Sequence, residues 1–145
     1  MKTFKNILRI TTLLIASVAA SFAADASAYD LPAVGGYDLV SYHQDGGPIR
    51  GSGFQKAEHA GITYLFANEA NKAAFEANPT KYLPEFNGYC AYGVALGQKF
   101  NTDPTVYELV DGKLYLNLNG EIQQKWSEDK AGNIKKAHTN WKRLK

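Results

Sequence analysis

The sequence predicts a small single α+β domain in which two β-hairpins pack against several short helices. Three observations support this fold class. Asp111-Gly112 separates two strand candidates and is the strongest short-range hairpin signal in the chain. His59-Ala60-Gly61 is a short loop that joins a second pair of strand candidates. Between the two pairs, Asn68 precedes an alanine-rich stretch that favours a helix.

Length and composition set the domain organisation. The chain has 145 residues, of which 45% are hydrophobic and 21% charged, and this is enough for one hydrophobic core. We expect an irregular lead-in at residues 24–33 and one globular domain at residues 34–145. No internal repeat, low-complexity tract or second linker is expected.

The first 23 residues have the parts of a secretory signal peptide. Three basic residues precede an apolar run at residues 10–20, and Ser21-Phe22-Ala23 offers small residues at the positions that a signal peptidase reads. Cleavage after Ala26 or Ala28 fits the same pattern. An uncleaved membrane anchor needs about 20 apolar residues, and this run is shorter. We therefore predict a Sec-type signal peptide and a periplasmic protein with no transmembrane segment after cleavage.

The strands are expected at residues 49–58, 62–66, 105–110 and 113–118. In the last of these, Leu114, Leu116 and Leu118 alternate and are expected to share one face. Helices are expected after Asn68, after Pro79, around Cys90 up to Gly97, from Gly120 and from Asn133.

The charge is unevenly distributed. The chain carries a net charge of +2, which falls to −1 when the three basic residues of the signal peptide are removed. Residues 130–145 hold six basic residues and no acidic residue. This segment is typical of a solvated helix face, and the alternative is docking to an acidic partner or to lipid headgroups. A near-neutral exported chain gives no reason to expect nucleic-acid binding.

Several motifs together resemble a known family. Tyr64-Leu65-Phe66, Phe75-Glu76-Ala77-Asn78-Pro79 and Lys81-Tyr82-Leu83 resemble the YHS domain, a small metal-associated module related to TRASH-type domains. Gly36-Tyr37-Asp38 and Gly88-Tyr89-Cys90-Ala91 extend the resemblance to exported bacterial YHS-domain proteins. The resemblance covers roughly residues 34 to 141 and includes Asp111-Gly112-Lys113-Leu114-Tyr115-Leu116-Asn117.

The resemblance implies a YHS/TRASH-like core and a role in metal handling. Metal-binding members carry a cysteine pair where this sequence has Ala67 and Asn71. A thiolate zinc site of the family's kind therefore cannot form here, and a metal role requires other ligands.

Cys90 is the first candidate for such a ligand. A single cysteine in an oxidising compartment cannot close an internal disulfide. The thiol is therefore expected to be buried as a small hydrophobe, to bind a soft metal such as copper, or to undergo reversible oxidation.

Histidines are the other candidate ligands. His43 lies in the segment that aligns with a lost upstream cysteine of the metal-binding relatives, His59 reads as a loop residue, and His138 reads as part of a solvated helix face. Because imidazole and thiolate assemble copper and zinc sites at close range, the predicted metal residues are Cys90, His43 and His59. A blue-copper site with axial methionine is excluded, since Met1 is the only methionine and leaves with the signal peptide.

Aromatic residues suggest a further binding site. Amphipathic tyrosines either fill a small core or line a ligand pocket. The predicted pocket residues are Tyr37, Asp38, Tyr42, Tyr89 and Tyr92.

Two functional hypotheses follow from the sequence. The first is an exported YHS-domain protein that binds a soft metal ion, with copper as the expected metal. The second is a non-catalytic periplasmic binding module for a protein partner or small ligand, in which Cys90 is merely buried. The sequence has no hydrolase, zincin or phosphate-loop motif, and no catalytic residue is assigned. A thiol enzyme would require an accessible Cys90 beside a histidine.

Overall fold

The computed structural model describes residues 32–145. The predicted signal peptide and most of the predicted lead-in lie outside the described residues. The described part of the chain contains two antiparallel two-stranded sheets and five α-helices, which confirms the predicted α+β class. The strands are β1 (Ser52–His59), β2 (Ile62–Phe66), β3 (Asp103–Val110) and β4 (Lys113–Asn117), and the helices are α1 (Glu69–Ala77), α2 (Pro79–Tyr82), α3 (Ala91–Ala95), α4 (Gly120–Glu128) and α5 (Lys130–Leu144).

Both hairpins turn where the sequence indicates. Ala60-Gly61 and Asp111-Gly112 have positive φ at both positions, as required by a turn whose twist matches that of the strands. The first strand begins at Ser52, three residues later than predicted. Residues 49–51 bond instead to the segment around Gly36. His59 is the last residue of β1 and not a loop residue.

Asparagine and aspartate side chains begin three of the helices. The side-chain oxygen of Asn68 accepts a hydrogen bond from the backbone N–H of Asn71 at 2.8 Å, as predicted. Asn119 does the same for α4. Asp129 accepts from the N–H of Gly132, so α5 begins at Lys130 and not at Asn133 as the sequence suggested.

The structure contains an internal repeat, so the expectation of a chain without one is wrong. Residues 32–83 and 84–145 follow the same order: a left-handed turn, a capped helical turn, a hairpin and two helices. The left-handed turns are Ala33–Gly36 and Glu85–Gly88, and each contains two consecutive interior residues with positive φ. Each is followed by a tyrosine, Tyr37 or Tyr89.

Details of the two hairpins also match. The register shifts between Ser52 and Lys56 in the first hairpin and between Asp103 and Tyr107 in the second, at positions 51 residues apart. The capping residues of α1 and α4 are separated by the same interval, as are two buried aromatic residues, Phe75 of α1 and Trp126 of α4. The two halves are therefore versions of one supersecondary unit.

The halves share hydrophobic contacts. The first core cluster is built mainly by residues of the first half, but it also contains Leu114 and Leu116 of β4. The hydroxyl of Tyr42 donates to the carbonyl of Pro104 at 2.7 Å across the two halves. A second cluster surrounds Trp126 and the α3–α5 contact. Leu118 lies just beyond β4 and is exposed, so it does not share the buried face of Leu114 and Leu116.

Candidate functional site

Cys90 is buried and caps a helix. Only 1% of the residue is exposed, and its sulfur accepts a hydrogen bond from the backbone N–H of Gly93 at 3.4 Å at the start of α3. Asp38 holds the corresponding place in the first half, where its carboxylate accepts from the N–H groups of Val40 and Ser41. The matching geometry assigns Cys90 a structural capping role.

The thiol also donates a hydrogen bond. Its acceptor is Oδ1 of Asn117, at 3.4 Å, and the same oxygen accepts from the N–H of Tyr92 at 3.0 Å. The Asn117 amide donates in turn to Gln123 at 2.7 Å. The sulfur is therefore engaged by the fold on both sides, as acceptor from the N–H of Gly93 and as donor to Asn117.

The polar chain continues to the surface. Gln123 donates to Glu108, and the indole N–H of Trp126 donates to the same carboxylate oxygen at 3.1 Å. Lys130 forms an ion pair with the other oxygen of Glu108. These contacts fix α4 and the start of α5 on the second hairpin.

The predicted metal-binding histidines contact aromatic rings. The ring of His43 packs edge-on against Tyr82 at a centroid separation of 5.3 Å, and that of His59 against Phe75 at 6.1 Å. The third histidine, His138, faces Phe86. Among residues 32–145 no group of three His, Cys, Asp or Glu side chains is placed to hold a metal ion. Copper binding by Cys90, His43 and His59 therefore stays a prediction.

His43 has an unusual environment. Its Nε2 atom is buried without a hydrogen-bond partner in the described structure, although the residue as a whole is half-buried. Burial, and secondarily the nearby charge of Lys81, hold the pKa of His43 below its ordinary value of 6.5. The neutral imidazole is the form that the fold accommodates.

Three of the predicted pocket residues have structural roles. Asp38 is fully buried and accepts additional hydrogen bonds from Ala67 N–H at 2.9 Å and from the Asn71 amide at 2.7 Å. Tyr42 is buried, and burial is the main cause that raises its pKa. The ring of Tyr37 lies under the guanidinium group of Arg50.

The remaining two tyrosines line different cavities. Tyr89 borders a groove of about 580 Å³ between the two left-handed turns, and Tyr92 borders a smaller cleft beside Cys90. The larger groove contains no charged side chain among its lining residues, and the amides of Asn87 and Asn101 make it polar. The five predicted residues therefore do not form one pocket.

The cleft beside Cys90, called here the Cys90 cleft, is the most apolar of these features. It has a volume of about 300 Å³ and is lined by Cys90, Tyr92, Gly93, Leu96, Phe100, Leu118, Ile122 and Lys125. Leu96 is 61% exposed, Phe100 42% and Leu118 40%. Large apolar side chains exposed together at one concave surface are typical of a binding site.

Local structure brings these residues together. The ring of Phe100 lies directly on α3, because a Cβ added at Gly93 would be only 2.6 Å from Phe100 Cδ2. The carbonyl of Phe100 also accepts the N–H of Cys90 at 3.0 Å. Leu118 follows the last residue of β4 and Ile122 lies in the first turn of α4, so a strand end and two helices meet at the cleft.

Sequence reasoning missed all of these residues except Cys90 and Tyr92. The alternation of Leu118 with Leu114 and Leu116 predicts that it shares their face, which is buried in the structure, whereas Leu118 is exposed. Leu96 and Phe100 flank Gly97 in a segment without periodicity. One sequence signal was available. Leu118 directly precedes the capping residue Asn119, and this position indicates that Leu118 lies after the end of the strand.

No helix in residues 32–145 combines the length and apolar character needed to cross a bilayer.

No protein-family model, curated protein or solved structure matches the chain, so its resemblance to the YHS domain stays a prediction from the sequence.

Proposed function

We propose that this protein is a non-catalytic binding module that takes an apolar small molecule into the Cys90 cleft. The observation that carries the proposal is the joint exposure of Leu96, Phe100 and Leu118 around one concavity. A bound apolar ligand would remove these side chains from water, which stabilises the complex by about 25 cal/mol per Å² of apolar surface buried.

The chemistry of the cleft supports binding more than catalysis. Apart from Lys125 at its edge and the Cys90 thiol, its lining side chains are apolar or aromatic. The thiol is engaged with Asn117, and the described structure places no histidine in hydrogen-bond contact with it. A nucleophile without a base beside it is poorly suited to covalent catalysis.

Export is part of the proposal. The predicted signal peptide at residues 1–23 would place the module in the periplasm. In this aqueous compartment an apolar molecule is stabilised by binding to an apolar protein surface. Soft-metal handling through Cys90 is the competing proposal, motivated by the unpaired thiol and by the YHS resemblance.

A neutral fluorescent probe tests the proposal. N-phenyl-1-naphthylamine brightens in apolar surroundings, and we expect the purified protein to bind it at one saturable site. Leu96→Asp should weaken binding at least tenfold, because it places a carboxylate in the apolar wall at little structural cost. Phe54→Asp is the matched control, since Phe54 is 95% exposed and lies outside the cleft.

The same samples separate the two proposals. Titration with Cu(I) against a competing chelator should give equal affinities for the wild type and Cys90→Ser if the cleft binds apolar molecules only. Probe binding that Leu96→Asp and Phe54→Asp weaken equally would overturn the apolar site. Stoichiometric copper binding that Cys90→Ser abolishes would support the competing proposal.

A further inference from the structure

We infer that the ligand of the Cys90 cleft is an amphipathic anion, with an apolar tail held in the cleft and a carboxylate head at Lys125. This inference rests on the proposed function and adds the chemical class of the ligand. It is carried by the position of Lys125, by the absence of acid from the cleft lining and by the contrast with the first half of the chain.

Lys125 is the charged residue at the edge of the cleft. It lies in the last turn of α4, one turn after Ile122, and its side chain is exposed. Within residues 32–145, Lys125 forms no ion pair with a carboxylate, whereas Lys113 and Lys130 pair with Glu85 and Glu108. Its ammonium group is therefore available to an anion at the mouth of the cleft.

The other lining residues favour a tail over a second polar group. None of the eight is acidic, so a cationic head would meet Lys125 without a compensating charge. Leu96, Phe100 and Leu118 together form an apolar wall, and the adjoining Gly93 leaves room for the Phe100 ring on α3. An apolar surface with a cation at its edge complements an apolar chain that ends in a carboxylate.

The internal repeat carries different residues at three of these positions in the first half. At positions 51 residues earlier, Leu118, Ile122 and Lys125 correspond to Ala67, Asn71 and Ala74.

In the first half the equivalent region is closed by hydrogen bonds within the chain. The Asn71 amide donates to Asp38 at 2.7 Å, and its oxygen accepts from the Gln44 side chain at 2.9 Å. At the three matching positions the second half carries two larger apolar side chains and a lysine, and all three line the open cleft. The second half thus has, and the first half lacks, the apolar wall and the lysine that an amphipathic anion requires.

Displacement of N-phenyl-1-naphthylamine by decanoate and by 1-nonanol, which carries the same CH3(CH2)8 tail, below their aggregation concentrations, tests the inference. At pH 7 and low salt we expect decanoate to bind about threefold to fivefold more tightly than 1-nonanol, the advantage of one exposed ion pair. This advantage should shrink with added salt. Across hexanoate, octanoate and decanoate, affinity should rise about fourfold per methylene until the cleft is filled.

Lys125→Gln is the decisive variant. It should bring decanoate to the affinity of 1-nonanol and leave 1-nonanol unchanged, while Lys142→Gln, at an exposed lysine outside the cleft, should change neither. Equal affinities of the two ligands in the wild type, or an undiminished decanoate preference in Lys125→Gln, would overturn the carboxylate assignment alone. Failure of both ligands to displace the probe would overturn the apolar site itself.

Discussion

At the scale of single residues, Cys90 is best understood through its partner Asn117. The sequence left burial, metal binding and redox chemistry open for this thiol, and the structure shows it buried. Asn117 could not be singled out from the sequence, because it lies in a strand with alternating leucines where a polar residue is expected to face solvent. It is fully buried, and its amide links Cys90 and Tyr92 to Gln123.

Asn117→Ala should therefore destabilise the protein more than Cys90→Ala. Removing the amide leaves the N–H of Tyr92 and the thiol without their acceptor, which costs about 3 kcal/mol. Removing the sulfur loses one weak cap, at about 1 kcal/mol. Urea unfolding of both variants measures the two values. The opposite order would show that the thiol, and not the amide, organises this region.

His43 makes stability depend on pH in the weakly acidic range. Burial, followed by the charge of Lys81, lowers the folded-state pKa of His43, so the unfolded chain binds more protons below pH 6.5. The contribution of His43 is fully present above pH 6.5 and is lost as the pH falls toward its folded-state pKa.

Urea unfolding between pH 5 and pH 8 should show this loss in the wild type and a smaller one in His43→Gln. His59→Gln is the control, because His59, like His43, packs edge-on against an aromatic ring but contacts Phe75 and not Tyr82. If the pH profile of His43→Gln matches that of the wild type, another group is responsible.

At the scale of elements, the strongest sequence signals were local ones. The Asp111-Gly112 turn, the Asn68 cap and Pro79 at the start of α2 were all predicted correctly, because each depends on the chemistry of a few adjacent residues. The start of β1 was wrong because Gly51 pairs with Gly36, a contact between segments that no local pattern contains.

The two equivalent caps should make similar contributions. Asn68→Ala and Asn119→Ala each remove a side-chain acceptor from the first turn of a nine-residue helix, and each should lower the free energy of unfolding by about 1 kcal/mol. Asn101→Ala, at an exposed loop position, should stay within about 0.5 kcal/mol of the wild type. A cost for Asn101→Ala equal to that of the caps would contradict the capping account.

At the scale of the whole molecule, the repeat is visible in backbone geometry and almost absent from the sequence. The two hairpins share their turn conformation and their register shift, yet over the hairpin and first helix few positions are identical, among them Tyr64 with Tyr115 and Asn68 with Asn119. Matching φ angles can be produced by different residues, and for this reason the few identical positions do not stand out as a repeat when the sequence is read alone.

The shared core predicts that the two halves unfold together. Leu114 and Leu116 of the second half are buried in the core cluster of the first half. Both tryptophans lie in the second half, so their fluorescence reports on that half alone, whereas circular dichroism reports on both. The two probes should give coincident urea curves.

Leu114→Ala should shift both curves equally, by about 2 to 5 kcal/mol. Separate midpoints for fluorescence and circular dichroism would show two independent folding units.

The Cys90 cleft is also a property of the whole molecule. Its residues come from α3, the loop after it, the end of β4 and α4, and only the fold brings these segments together. The sequence supplies the candidates Cys90 and Tyr92. It does not predict the exposure of Leu96 and Phe100, because exposure depends on how the other segments of the chain pack around them.

Backbone amide NMR during titration with 1-decanol tests the apolar binding site most directly. We predict saturable shifts confined to residues around the cleft, above all Gly93, Leu96, Phe100 and Leu118, with no comparable change at Asn87 or Asn101 in the polar groove. Shifts centred on the polar groove, or no saturable shifts at all, would contradict the account.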